Sequence, residues 1–144
     1  MKKVIYYSRM LLLMSFIIIG MSGSAQNCSK ATTLVCDIFN DMAALVDKCS
    51  SLDAINMDNV LSNYDVSIFE TCYNVSIPDA DKTKIKNAVD KFINALENKA
   101  YELSGGYTSR QTFKDQLRPV RTNMMNLIDN STTYEDLSRG MANF

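Results

Sequence analysis

The chain has 144 residues, a formal net charge of −1, four Cys, and neither His nor Trp. That length holds one modest core rather than two domains, and the lack of His removes the usual general base, the commonest metal ligand and every His-containing triad. The charge is unevenly placed: the first 26 residues carry three bases and no acid, so the remainder holds twelve bases against sixteen acids, a net charge near −4.

Residues 1–9 are basic, and Met10–Met21 is an apolar run of 12 residues broken only by Ser15 and Gly20. A run of that length suits a signal-peptide core and falls short of the roughly 20 residues that span hydrocarbon. Gly23 and Ala25 supply the small-x-small pattern of a signal-peptidase site. The expectation is therefore removal of residues 1–25 after Ala25, leaving 26–144 as one exported domain, periplasmic or extracellular, with no membrane attachment after cleavage. The Met-Lys-Lys start resembles bacterial leaders. A lipid on Cys28 is disfavoured, because Ala25-Gln26-Asn27 lacks the small residues that a lipoprotein signal sets beside its Cys.

In the mature chain, Ala31, Val35, Ile38, Met42, Leu45 and Cys49 recur at spacings of four and three, widened by Leu34, Phe39 and Val46. This pattern predicts a core-facing helix over about 32–50, capped by Thr32 or Thr33. From Ser51 to Ile77 the signal weakens. Ser51 or Asp53 could cap a short helix carrying Ile55, Val60, Leu61 and Tyr64, and the rest reads as an irregular connection tied down at Cys72. Pro78 marks a second long helix through about Leu103, with the stripe Ile85, Val89, Phe92, Leu96, Ala100 and Leu103; Ser104-Gly105-Gly106 stops it. Thr108 and Gln111 have capping-box spacing ahead of Phe113, Leu117, Val120, Met124 and Leu127. That stripe stays in phase across Pro119, predicting one helix kinked there. Thr132 and Glu135 suggest a second box for a short last helix that docks Tyr134, Leu137, Met141 and Phe144. Three such stripes joined by short loops predict an all-α, antiparallel bundle of three long helices plus one or two short ones, stapled by disulfides.

An exported chain with an even number of Cys most often pairs them. On one helix, Cys36 and Cys49 stand roughly 20 Å apart, beyond the reach of a disulfide. A Cys28–Cys49 bridge fails in the same way. The favoured pairing is then Cys28–Cys36 with Cys49–Cys72, the latter worth roughly 3 kcal/mol in the loop-entropy account. A single Cys36–Cys72 bridge with two free thiols is the alternative. The Cys spacings include no C-x2-4-C knuckle, so zinc is not expected.

Chemistry-bearing patterns are sparse. Asp79, Asp81 and Asp90 faintly match a calcium loop, but Lys84 stands where its Gly is required, so these acids read as helix-start residues. Glu97 and Glu102 do not share a helix face, so no glycosidase-like acid pair is indicated. Lys82, Lys84 and Lys86 spread around a helix, and overall acidity opposes a nucleic-acid partner. Asn27-Cys28-Ser29, Asn74-Val75-Ser76 and Asn130-Ser131-Thr132 match a glycosylation sequon, a pattern that thirteen Asn produce readily by chance. No cofactor or metal site is expected.

The charge asymmetry is the most suggestive feature. Residues 26–78 hold Lys30 and Lys48 against Asp37, Asp41, Asp47, Asp53, Asp58, Asp65 and Glu70. Such a half can meet a basic protein partner with steering benefits, and Tyr64, Phe69 and Tyr73 could anchor it or else plug the bundle end. The expected partner-binding residues are therefore Asp37, Asp41, Asp47, Tyr64, Phe69 and Tyr73. The function expected is a small, exported, non-catalytic interaction protein, analogous to an inhibitor or immunity protein that covers a basic surface. Two other functions are weighed against it. One is a carrier of an apolar ligand between the stripes of residues 85–103 and 113–127. The other is a small secreted hydrolase using carboxylates.

Overall fold

The computed structural model describes residues 28–143. The expected leader, its cleavage point after Ala25, and Phe144 lie outside the described residues. Those described form an all-α bundle: α1 (Ser29–Lys48), a 3-10 turn (Leu52–Ala54), α2 (Met57–Leu61), α3 (Ser67–Glu70), α4 (Asp79–Leu103), α5 (Arg110–Asn130) and α6 (Tyr134–Ala142). No described helix is long and apolar enough to cross a membrane.

The three expected stripes build the core. α1 buries Ala31, Leu34, Val35, Ile38, Phe39, Met42, Ala43 and Val46, mainly against α4. Phe39 and Phe92 meet there at 6.0 Å between ring centroids. Each large apolar side chain taken fully out of water on this seam contributes about 1.5–3 kcal/mol. α4 and α5 form the antiparallel hairpin that the glycines imply, with Gly105 and Gly106 at φ of 62° and 80°. α1 and α4, by contrast, run in the same direction: Asn40 faces Lys91, and the charge of Asp47 acts on Lys99 further along both helices. The connector of residues 49–78 carries the chain back along α1, which makes this parallel pairing possible.

Helix starts differ from the sequence expectation by small, explicable shifts. α1 begins at Ser29 with Cys28 in the cap position, so Thr32 is internal and buried; its hydroxyl hydrogen-bonds the Tyr134 hydroxyl at 2.6 Å. The cap of α5 is Ser109, not Thr108; its hydroxyl accepts from the Thr112 amide. The cap of α6 is Thr133 with Asp136, not Thr132 with Glu135. Asp136 wins because its carboxylate collects the amides of Thr132 and Thr133 and the Thr132 hydroxyl, while Glu135 pairs with Arg139 at 2.6 Å. α5 passes through Pro119 as one helix.

The disulfide pairing is a correction. Cys28 bonds Cys72, with Cα atoms 5.9 Å apart, and Cys36 and Cys49 are free thiols. The expected Cys28–Cys36 bridge required a non-helical lead-in to residue 32. With the helix starting at Ser29, about 12 Å of axial rise separates the two, too far to bridge. Cys72 is instead delivered to Cys28 by the returning connector, which leaves Cys49 without its expected partner at the far end of α1. Cys49 donates its thiol to the Val46 carbonyl at 3.0 Å.

Around this bridge the closing segments knit together. Ile77 donates to the Thr132 carbonyl, Tyr134 to that of Val75, and Glu135 to that of Tyr73. α6 then inserts Tyr134, Leu137 and Met141, all essentially inaccessible. Its close seat on α5 depends on Gly140, where a Cβ would fall 1.9 Å from a Leu127 methyl carbon.

Candidate interaction face

The expected partner-binding residues divide into three groups. Asp37 and Asp41 are exposed and, four residues apart, occupy one outward strip of α1. The connector lays Tyr64 beside them, and its hydroxyl donates to Asp41 Oδ2 at 2.6 Å. Burial, that hydrogen bond and the negative charge of Asp41 and Asp37 push the Tyr64 phenol up to about 12. Tyr64 therefore remains a neutral donor, and its ring is held at the edge of an acidic strip.

Asp47 is also exposed but points about a third of a turn around the helix from Asp41. The hydrogen bond to Glu102 pushes the Lys99 ammonium up, and the charge of Asp47 adds to it in small part. Phe69 and Tyr73 belong elsewhere. Phe69 is half-buried with its ring edge-on to Tyr134 at 6.0 Å, and Tyr73 is only 8% exposed. Both serve the closed end of the bundle and offer a partner little surface.

Charge pairing is uneven along the chain. Of the nine acids beyond residue 78, Asp81, Asp90, Glu97, Glu102, Asp115, Asp129 and Glu135 take part in ion pairs, and Asp79 and Asp136 do not among the described residues. Asp37, Asp41 and Asp47 take part in none among the described residues. The lysines considered for a nucleic-acid patch are each engaged within the fold. Lys86 pairs with Asp129 at 2.7 Å, Lys84 pairs with Asp81 at 2.8 Å, and Lys82 donates to the Asp129 carbonyl at 2.9 Å.

Sequence reasoning missed one polar cluster. Arg121 of α5 reaches Asp90 and bonds Asn94 and Glu97 of α4, each of the latter two at 2.8 Å. The signal was available, since Asp90, Asn94 and Glu97 at i, i+4 and i+7 share one helix face. Burial pushes the Glu97 carboxyl up and the Arg121 guanidinium down. Both carboxylates converge on one cation that ties α4 to α5, so the cluster acts as an interhelical clamp.

Cys36 is half-buried, and burial and the adjacent Asp37 push its thiol up, which makes it a poor nucleophile. Among the described residues, no group of three or more Cys, Asp or Glu side chains could hold a metal ion. No protein-family model, no curated protein and no solved structure matches the chain.

Proposed function

We propose that this is an exported, non-catalytic interaction protein, of the inhibitor or immunity-protein kind. It would meet a basic protein surface with the outward strip of α1 around Asp37, Asp41 and Tyr64, extended around the helix by Asp47. The observation that carries this reading is the unequal neutralisation of charge. Seven of the nine acids past residue 78 have cationic partners within the fold, whereas the three α1 acids take part in no ion pair among the described residues and are exposed. A basic partner would supply the missing cations and gain association rate from the uncompensated field. Tyr64 adds an aromatic ring already fixed by Asp41, which lowers the entropy cost of using it as an anchor. Export is supported by the leader pattern and by a disulfide suited to an oxidising compartment.

The test is affinity capture from the producing cell with the tagged protein, beside an Asp37→Lys/Asp41→Lys variant of unchanged circular dichroism. A specific basic protein should be retained by the first and lost from the second. Equal retention by both, or nothing retained at low salt, would overturn the proposal.

A further inference from the structure

We infer that the α4–α5 hairpin tip is a second interaction surface, and that its partner is the acidic α1 strip of another copy of this chain. This rests on the acidic strip assigned above and adds what the chain itself can place on it.

The tip leaves large apolar side chains in solvent. Leu103 is 44% exposed and Tyr107 97% exposed, and they are the exposed large hydrophobics of the described chain. Arg110, Lys114 and Arg118 follow at intervals of four residues, so they lie along one side of α5, and all three are exposed. Arg110 is braced over the Tyr101 ring at 4.6 Å and donates to Asn98 at 3.1 Å. Arg118 pairs with Asp115, the single acid of residues 103–118, so this stretch carries net +2. A nearly free aromatic ring beside a cationic strip suits an acidic surface that also offers apolar contact. The α1 strip has that composition: Asp37 and Asp41 are exposed, and Tyr64, Leu61 and Ile68 are half-buried in the adjoining connector.

The two surfaces cannot neutralise one another within one molecule. α1 packs on α4 through the side bearing Lys91 and Phe92, and α5 packs through the side bearing Asp90, Asn94 and Glu97. α1 and α5 share no extensive contact. The tip of one copy can instead meet the strip of the next. This contact is head-to-tail, so it propagates into chains, or closes into a ring where the rotation permits. Because it is built on exposed charge, it weakens as salt shortens the Debye length to about 8 Å at physiological ionic strength and further above it.

The experiment is sedimentation velocity of the oxidised full chain over a wide concentration range at low and high salt. It includes a tip variant (Arg110→Glu/Lys114→Glu/Arg118→Glu), a strip variant (Asp37→Lys/Asp41→Lys), Tyr107→Ser, and an equimolar mixture of the two charge variants. The wild type should associate at low salt and dissociate at high salt. Each charge variant alone should associate about tenfold more weakly or not at all. Their mixture should recover association, since each then presents the charge that the other lacks. Tyr107→Ser, at a position too exposed to affect folding, should weaken association several-fold. A wild type that stays monomeric at every concentration in low salt, association untouched by the tip variants, or a mixture that fails to recover would each overturn the inference. Those failures leave capture of a basic partner standing. Loss of that capture with self-association intact would remove the earlier proposal alone.

Discussion

The two ends of the bundle are built on different terms. At the closed end, the Cys28–Cys72 bridge, the Ser76–Thr133 pairing, the buried Thr32–Tyr134 hydrogen bond and the capping box of α6 converge within a few residues of one another. At the hairpin end, two glycines turn the chain and Leu103 and Tyr107 are left in solvent. The closed end thus fastens segments distant in sequence, whereas Tyr107 at the tip is 97% exposed and Asp37 and Asp41 on α1 are exposed.

This contrast can be broken most forcefully at Tyr134. Tyr134→Ala removes a fully buried ring and strands the Thr32 hydroxyl, so chemical denaturation should show a loss of about 5 kcal/mol. Cys28→Ser/Cys72→Ser releases a closure spanning 44 residues and should cost about 4 kcal/mol in the loop-entropy account, read in the same assay. Acid should act on the same end. Hydrogen bonds from Thr132 and Thr133 hold the Asp136 carboxyl at about 2, below its ordinary 3.8. Its contribution is therefore complete above pH 3.8 and is lost as the pH falls through about 2. Asp136→Asn should flatten that part of the stability–pH curve. At the other end, Tyr107→Ala should change stability by no more than about 0.5 kcal/mol. The finest effect concerns Tyr64 alone: in Asp41→Asn, ultraviolet titration should find its phenol moved down from about 12 toward 10.

Features with local signals were legible from the sequence. α4 runs from Asp79 to Leu103, because Pro78 opens it and Ser104-Gly105-Gly106 closes it within the chain itself. Caps slipped by one residue where two suitable residues adjoin, Thr108 with Ser109 and Thr132 with Thr133. There the choice depends on which hydroxyl the first-turn amide, that of Thr112 or of Asp136, can reach as donor once the backbone is placed. The disulfide was illegible for a longer-range reason. Starting α1 three residues earlier puts Cys36 out of reach of Cys28, and the path of the connector, which no local pattern dictates, brings Cys72 to it. At the candidate site, Asp37 and Asp41 shared a face by spacing alone, whereas the inward turn of Tyr73 and the junction of Phe69 with Tyr134 came from packing of segments more than 60 residues apart in sequence.

The most direct measurement is the association rate constant with the captured basic partner, followed across ionic strength for the wild type and for Asp37→Lys/Asp41→Lys. A contact carried by the α1 strip predicts a wild-type rate that falls about tenfold or more from low to high salt, a slow and nearly salt-independent rate for the variant, and smaller changes in dissociation. Equal rates for the two proteins, with equal salt dependence, would contradict it.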